Sequence, residues 1–271
     1  MRLLFLGDIV GRPGRTVVCN ALPGLIARYS IDFVVINGEN AAGGFGITEA
    51  ILNDLIDAGA DCVTLGNHAF DQKDTLVFIE RHDRLIRPLN YPKGTPGKGA
   101  TLLKAKNGAD VLVINAMGLV FMPDLDCPFR AIDAELTACT LKHGADVILI
   151  DFHAEATSEK QAMGLFLDGR ASVVVGTHTH TPTADARVLP NGTAYMTDAG
   201  MCGDYNSVLG MDPEEPINRF LSKIARSRYE SATGTGTISG LLVDIDDATG
   251  LAVRVQSLRQ GPHLEAATPE G

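Results

Sequence analysis

The chain has no tryptophan, only 6 % aromatic residues, and no pair of cysteines in C-x-x-C spacing. Its five cysteines, Cys19, Cys62, Cys127, Cys139 and Cys202, are odd in number, so neither a disulfide framework nor a thiolate zinc site is indicated. Basic residues are also scarce: 23 Lys and Arg stand against 33 Asp and Glu, a net charge of −10. That balance argues against strong nucleic-acid binding, which needs cationic side chains concentrated on one face. A small anionic ligand would need positive charge from a local source. No stretch approaches the roughly 18 apolar residues of a membrane span. MRLLFLGD is too short and wrongly flanked for a secretory signal. A cytoplasmic protein is expected.

Apolar material is ample, at 45 % of 271 residues, and no Pro, Gly and Ser cluster is long enough to separate two folding units. One domain over residues 1–260 is expected, with 261–271, GPHLEAATPEG, as a frayed tail. Runs of Val, Ile and Leu recur at 3–6, 33–36, 62–65, 111–114, 147–150 and 172–175. Most precede helix-like segments, the pattern of buried strands joined by crossover helices. Helices are predicted over 15–28, 48–58, 73–81, 133–143, 158–167 and 216–225, with Thr48 and Ser158 as N-caps. Hairpins are predicted around Asn191-Gly192 and through Asp247–Gly250.

Five of the runs end in groups able to bind a metal. LLFLG leads to Asp8, VVING to Glu39 and Asn40, VTLG to Asn67 and His68, ILIDF to His153, and VVVGT to His178 and His180. Parallel strands deliver their carboxyl ends to one edge of a sheet, so these groups are predicted to converge. The mixed oxygen and nitrogen set suits Mn, Fe, Zn or Co. It is too large for one ion with an open position, and two ions sharing a carboxylate is the economical arrangement. Such a pair, ~3.5–4 Å apart, clamps a phosphoryl group and acidifies a water. It would also supply the positive charge that the acidic chain lacks. A lone strand-end histidine such as His153 is more often structural, but five coincidences at five strand ends are hard to dismiss. If the chain stays extended after the last run, His178 and His180 point the same way, with Gly176 letting the chain turn into the site.

Taken in order, Gly66-Asn67-His68, His153 and Gly176-Thr177-His178-Thr179-His180 resemble the calcineurin-like metallophosphoesterase superfamily. Three departures are Val10 where that pattern has histidine, Gly38-Glu39-Asn40 in place of its bridging aspartate block, and Ala69 after His68. With stretches such as GDIVGRPGR, INGENAAGG, GNHAFD, DFHAEATSEK and VVGTHTH, they resemble the YmdB-like bacterial branch, from Met1 to about Leu258. The resemblance implies an α/β fold, a four-layer α/β/β/α sandwich. It implies two divalent metal ions, Fe or Mn, with Zn, Co or Mg as alternatives, and phosphodiesterase action on 2′,3′-cyclic and 3′,5′-cyclic nucleotides. One ion would take Asp8, Glu39, Asn40 and His180; the other would take Glu39, Asn67, His153 and His178, with Glu39 bridging. His68 would give a proton to the leaving alkoxide. The implied partners are a small-molecule phosphoester and, at most, further copies of the chain, with no membrane. Competing readings are a phosphomonoesterase on the same metal core and a regulatory module that binds nucleotide or metal. A structural metal ranks last, since such sites are usually closed and rich in thiolate.

Around this core, Arg12 and Arg15 are candidates for phosphate contact, as are backbone N–H groups of AAGGFG and KGTPGKG. Phe45 and Tyr205 are candidates to stack on a base. Asp151 and Glu155 flank His153, and either could orient its imidazole.

Overall fold

The computed structural model describes residues 1–270. Twelve of its fourteen strands form two six-stranded sheets. The first has the order β14-β13-β1-β3-β4-β5, from β1 (Arg2–Leu6), β3 (Phe33–Asn37), β4 (Cys62–Thr64), β5 (Leu85–Ile86), β13 (Ile238–Ile245) and β14 (Ala252–Gln260). The second runs β10-β11-β9-β8-β7-β6, from β6 (Ala100–Lys104), β7 (Asp110–Met117), β8 (Val147–His153), β9 (Val173–Thr177), β10 (Arg187–Val188) and β11 (Ala194–Met196). A two-stranded ribbon pairs β2 (Asp8–Ile9) with β12 (Met201–Cys202).

Alternation along the strands accounts for the layers, because successive side chains point to opposite faces. Leu3, Phe5, Val35, Val113, Leu149 and Val175 meet in the core between the sheets. The intervening Leu4, Leu6, Val34 and Ile36 face outward onto α1 (Gly11–Tyr29) and α2 (Glu49–Ala58), through Leu22, Leu52 and Leu55. On the far side, Ile148, Ile150 and Phe152 pack with Ile132 of α4 (Pro128–Ala138) and Met163 of α5 (Thr157–Phe166). Strands buried on both faces explain the continuous apolar runs. The result is the four-layer α/β/β/α sandwich that the resemblance implies.

The strands bearing candidate ligands are parallel within each sheet: β1 with β3, β3 with β4, and β8 with β9. The five strand ends therefore come from two sheets, three and two, instead of one. Thr48 caps α2, its Oγ1 accepting from Ile51 N at 3.3 Å. Ser158 caps nothing; α5 begins after Ala156, with no side-chain cap. The helix predicted at 133–143 starts earlier, because Pro128 suits a first helical turn, and ends at Ala138. The predicted 73–81 helix shrinks to α3 (Thr75–Phe78) followed by one 3₁₀ turn, and α6 covers Glu214–Ser222. Both predicted hairpins are present, β10 with β11 and β13 with β14. A third, β6 with β7, turns at Gly108 in the left-handed region and was not predicted. Past β14 the chain folds back, and Ala267 exchanges backbone hydrogen bonds with Arg259.

Candidate metal centre and its cleft

Seven predicted ligands, Asp8, Glu39, Asn40, Asn67, His153, His178 and His180, gather where the two sheets meet, and their contacts fall into two groups. In the first, His153 Nε2 lies 2.9 Å from Asn67 Oδ1, 3.1 Å from Glu39 Oε1 and 3.1 Å from His178 Nδ1. The other ring nitrogen is already engaged. His153 Nδ1–H donates to Thr177 Oγ1, which donates in turn to Asp151 Oδ1 at 2.6 Å. A single Nε2 proton cannot satisfy three converging acceptors. A cation can, and Glu39, His153 and His178 offer ligand atoms within 4.8 Å of one another.

The second group shows the same conflict. His180 Nδ1 faces Leu209 O at 2.9 Å, and a carbonyl only accepts, so the proton sits on Nδ1 and Nε2 presents a lone pair. That lone pair faces Asn40 Oδ1 at 3.2 Å, with the Asn40 amide nitrogen committed to Gly44 O. Two acceptors thus face each other. Asp8 Oδ1 lies 3.9 Å from His180 Nε2 and is one of two buried side-chain polar atoms among the described residues without a hydrogen-bond partner. Buried polar groups are seldom orphaned. Both donor sets therefore fit a divalent cation of the kind bound by carboxylate, amide and imidazole.

The surroundings hold this arrangement. Asp8 Oδ2 accepts from His178 N, and Glu39 Oε2 accepts from His68 N at 3.0 Å. A Cβ at Gly66 would stand 2.4 Å from Glu39 Oε2 and from His153 Nε2, so only glycine lets β4 end this close. Of the two acids flanking His153, Asp151 orients it, through Thr177; Asp151 also accepts from Thr64 and Asn37. Glu155 instead faces His178 Nε2 at 3.3 Å.

The expectation of an extended chain through His178 and His180 fails. β9 ends at Thr177, and both histidines are left-handed, with φ of 95° and 63°. The loop is held from below. Thr179 donates from N and Oγ1 to Asp198 Oδ2, which also accepts from Lys160 Nζ at 2.7 Å. Lys160 and Asp198 are both buried. Gly176 makes no turn; it lies within β9, where a Cβ would collide with Thr197 O.

Burial disfavours charge on all these groups. It pushes Asp8 well above the usual carboxylate range, against the pull of His153. Burial acts the same way on Glu39, but the His153 charge overcomes it and holds that carboxyl at about 2. Burial also opposes charge on His153, yet Glu39, Asp8 and Asp151 raise it to about 9. His178 is pushed down to about 3 by burial and by His153. In chelator-treated protein, stability from His153 should be complete below pH 6.5 and lost as pH rises through about 9. Glu39 works in the opposite direction, its contribution being lost as pH falls from 4.5 to about 2. The Tm of EDTA-treated protein should therefore fall from pH 6.5 to 9 while that of metal-loaded protein holds. An equal decline in both forms would contradict this.

His68 lines the cleft beside these groups, its Nδ1–H donating to Asp71 Oδ2 at 2.7 Å. The acid missing at position 69 is thus supplied two residues later, at the end of GNHAFD. Phe45 meets the His68 ring edge to face, centroids 5.2 Å apart. The cleft, of about 380 Å³, has Glu39, Asn40, His178 and His180 on its polar side and Met211, Pro216, Phe220 and Tyr229 among its apolar walls. The walls from α6 and the following loop were not predicted.

Other candidates lie elsewhere. Arg12 lines a separate groove with Thr16 and Gly234, and Arg15 a third. Tyr205 spends its hydroxyl on the backbone of Met201. KGTPGKG turns carbonyls, not N–H groups, inward: Arg87 collects those of Thr95, Pro96 and Gly97. Cys202 is a buried thiol that burial pushes up to about 12. Among the described residues no helix is long and apolar enough to cross a membrane.

Two facing β-sheets flanked by helices, with carboxylates, amides and imidazoles gathered at the strand ends, define a fold of the metallophosphoesterase type. The chain belongs to the YmdB-like protein family, whose model matches residues 4–258. It is 52 % identical over 258 residues to a Bacillus subtilis (strain 168) protein named 2′,3′-cyclic-nucleotide 2′-phosphodiesterase, covering 95 % of this chain and 96 % of that one. The crystal structure of a Thermus thermophilus protein superposes with a TM-score of 0.88 at 43 % identity, over 96 % of this chain and 98 % of that one. A phosphatase structure from Mycoplasma pneumoniae also gives 0.88, at 32 % identity, over 97 % of this chain and 95 % of that one.

Proposed function

We propose that this protein is a dinuclear metal-dependent phosphodiesterase that opens 2′,3′-cyclic nucleotides and accepts 3′,5′-cyclic ones. The similarity to the Bacillus subtilis phosphodiesterase along nearly the whole chain supports the substrate class. The observation that carries the diester reading is the composition of the cleft: no Lys or Arg is among its lining residues. A phosphodiester is a monoanion, whereas a monoester dianion calls for an additional cationic partner.

In this reading Asp8, Asn40 and His180 would hold one ion and Asn67, His153 and His178 the other, with Glu39 available to both. Fe or Mn suits the mixed oxygen and nitrogen set. Bound divalent ions would neutralise the phosphoryl oxygens and acidify the attacking water. The protein's own side chains do the rest. His68 holds a proton for the departing ribose oxygen, since an unprotonated alkoxide leaves poorly at neutral pH, and Asp71 fixes its ring through Nδ1. Asp151 and Leu209 O fix the tautomers of His153 and His180, so that each presents Nε2. The partner is a small phosphoester, neither a nucleic-acid strand nor a membrane, and the cytoplasm would keep the five cysteines reduced.

Steady-state assays of Mn(II)- or Fe(II)-loaded protein test this. Turnover of 2′,3′-cyclic AMP is expected, with bis-p-nitrophenyl phosphate preferred to p-nitrophenyl phosphate. Absence of turnover in protein shown to hold both ions would sink the reading, and preference for the monoester would replace it with a phosphomonoesterase.

A further inference from the structure

We propose that Phe220 and Tyr229 form a platform for the nucleobase, making the cleft selective for nucleoside over base-free cyclic phosphates. The proposal rests on the phosphodiesterase reading and specifies how the substrate is chosen. The cleft joins two chemistries. Its ligand groups are suited to phosphate through bound cations, while the walls from α6 and the loop after it are apolar. A ligand filling both must carry a charged end and a flat apolar body a few ångströms apart, as a nucleoside cyclic phosphate does.

Tyr229 is braced for stacking. The Arg219 guanidinium carbon lies 4.0 Å from its ring centroid, and Arg219 is itself fixed, Nε donating to Glu215 Oε1 at 2.7 Å and Nη2 to Ser227 O at 2.6 Å. Glu215 Oε1 also accepts from Arg226 N, tying the loop to α6. A ring held this way loses little further freedom on binding. Phe220, by contrast, is 73 % exposed although it lines the cleft. A large apolar side chain left in water at the edge of the polar site offers a ligand apolar area to cover. Phe45 is engaged with His68, which leaves the base to the other two rings.

Of the polar side chains lining the cleft, Glu155 is occupied with His178 and Thr179 with Asp198; the cations beside the two rings, Arg219 at Tyr229 and Lys223 Nζ 5.8 Å from the Phe220 centroid, lie against ring faces. Recognition should therefore come from stacking and not from hydrogen bonds to base edges. All bases should be accepted, purines ahead of pyrimidines because they offer more π surface.

The test compares kcat/KM for 2′,3′-cyclic AMP with that for methyl ribofuranoside 2′,3′-cyclic phosphate, which lacks the base. Phe220→Ala is the main variant, because an exposed side chain can be truncated without unfolding the protein. The ratio should fall about tenfold, through KM. Tyr229→Ala should act likewise, Phe220→Trp should restore the ratio, and Leu221→Ala, whose side chain does not line the cleft, should leave it unchanged. A wild-type ratio near one, or a ratio unmoved in folded Phe220→Ala, would overturn the platform while leaving the phosphodiesterase reading intact. Failure of the wild type to hydrolyse either substrate would remove both.

Discussion

Replacing His68 with Asn should lower kcat for 2′,3′-cyclic nucleotides by roughly 10²–10⁴-fold, the range for loss of a positioned general acid. Bound metal should be unchanged, because the His68 side chain touches Asp71 and the Phe45 ring, while its link to the ligand groups is a backbone N–H to Glu39 that Asn retains. Loss of activity with metal retained separates proton donation from metal binding. A substrate with a nitrophenolate leaving group makes the assignment sharper. Nitrophenolate departs without protonation, so the penalty should shrink markedly; an equal loss on both substrates would rule out the proton-donor role. The same variant addresses the regulatory alternative. A cellular phenotype that survived the loss of turnover would place the function in binding.

The second large effect concerns Lys160 and Asp198. Both are buried, and the Asp198 carboxylate supports the left-handed loop between His178 and His180. Lys160→Met strands that carboxylate without its cation. It should cost about 3–5 kcal/mol of stability, as expected when one partner of a buried pair is removed. Metal affinity should fall roughly 10–100-fold, the range for lost support behind metal ligands. Replacing both residues by apolar ones, Lys160→Met with Asp198→Leu, should recover part of that stability, because no unpaired charge remains although Thr179 and Gly200 N lose their acceptor. It should not recover metal affinity, since Thr179 N and Oγ1 still lack their acceptor. Urea unfolding and Mn(II) titration measure the two quantities. Joint recovery would show that the pair supports only the fold.

The parts of the site legible in sequence share one form: an apolar strand followed at once by a polar group. Asp8, Glu39, Asn67, His153 and His178 all sit at such breaks, where local pattern and tertiary position coincide. Lys160 and Asp198 do not. One lies on a helix and the other in a loop, 38 residues apart, and only the fold brings them together. Asp71 was hidden for a smaller reason, since the acid was sought next to His68 and the turn brings it in from three residues on. The aromatic wall was missed because the helix carrying Phe220 reads as an ordinary amphipathic segment; its place beside the cleft appears only once the fold sets it there. Among the strands, β6 escaped because only part of it is buried, leaving Leu102 in solvent and no continuous apolar run. The left-handed backbone at His178 and His180 leaves only a faint sequence signature, because histidine enters that region more often than most side chains but far less readily than glycine.

Two sets of facing lone pairs, at His153 and at His180, are placed where two divalent ions would sit. Diffraction from Mn(II)-loaded crystals, with data on either side of the manganese edge, tests this most directly. Two anomalous peaks are expected, one against Asn67, His153 and His178, the other against Asp8, Asn40 and His180, with Glu39 in contact with both. A single peak, or a second one away from His180, would contradict it.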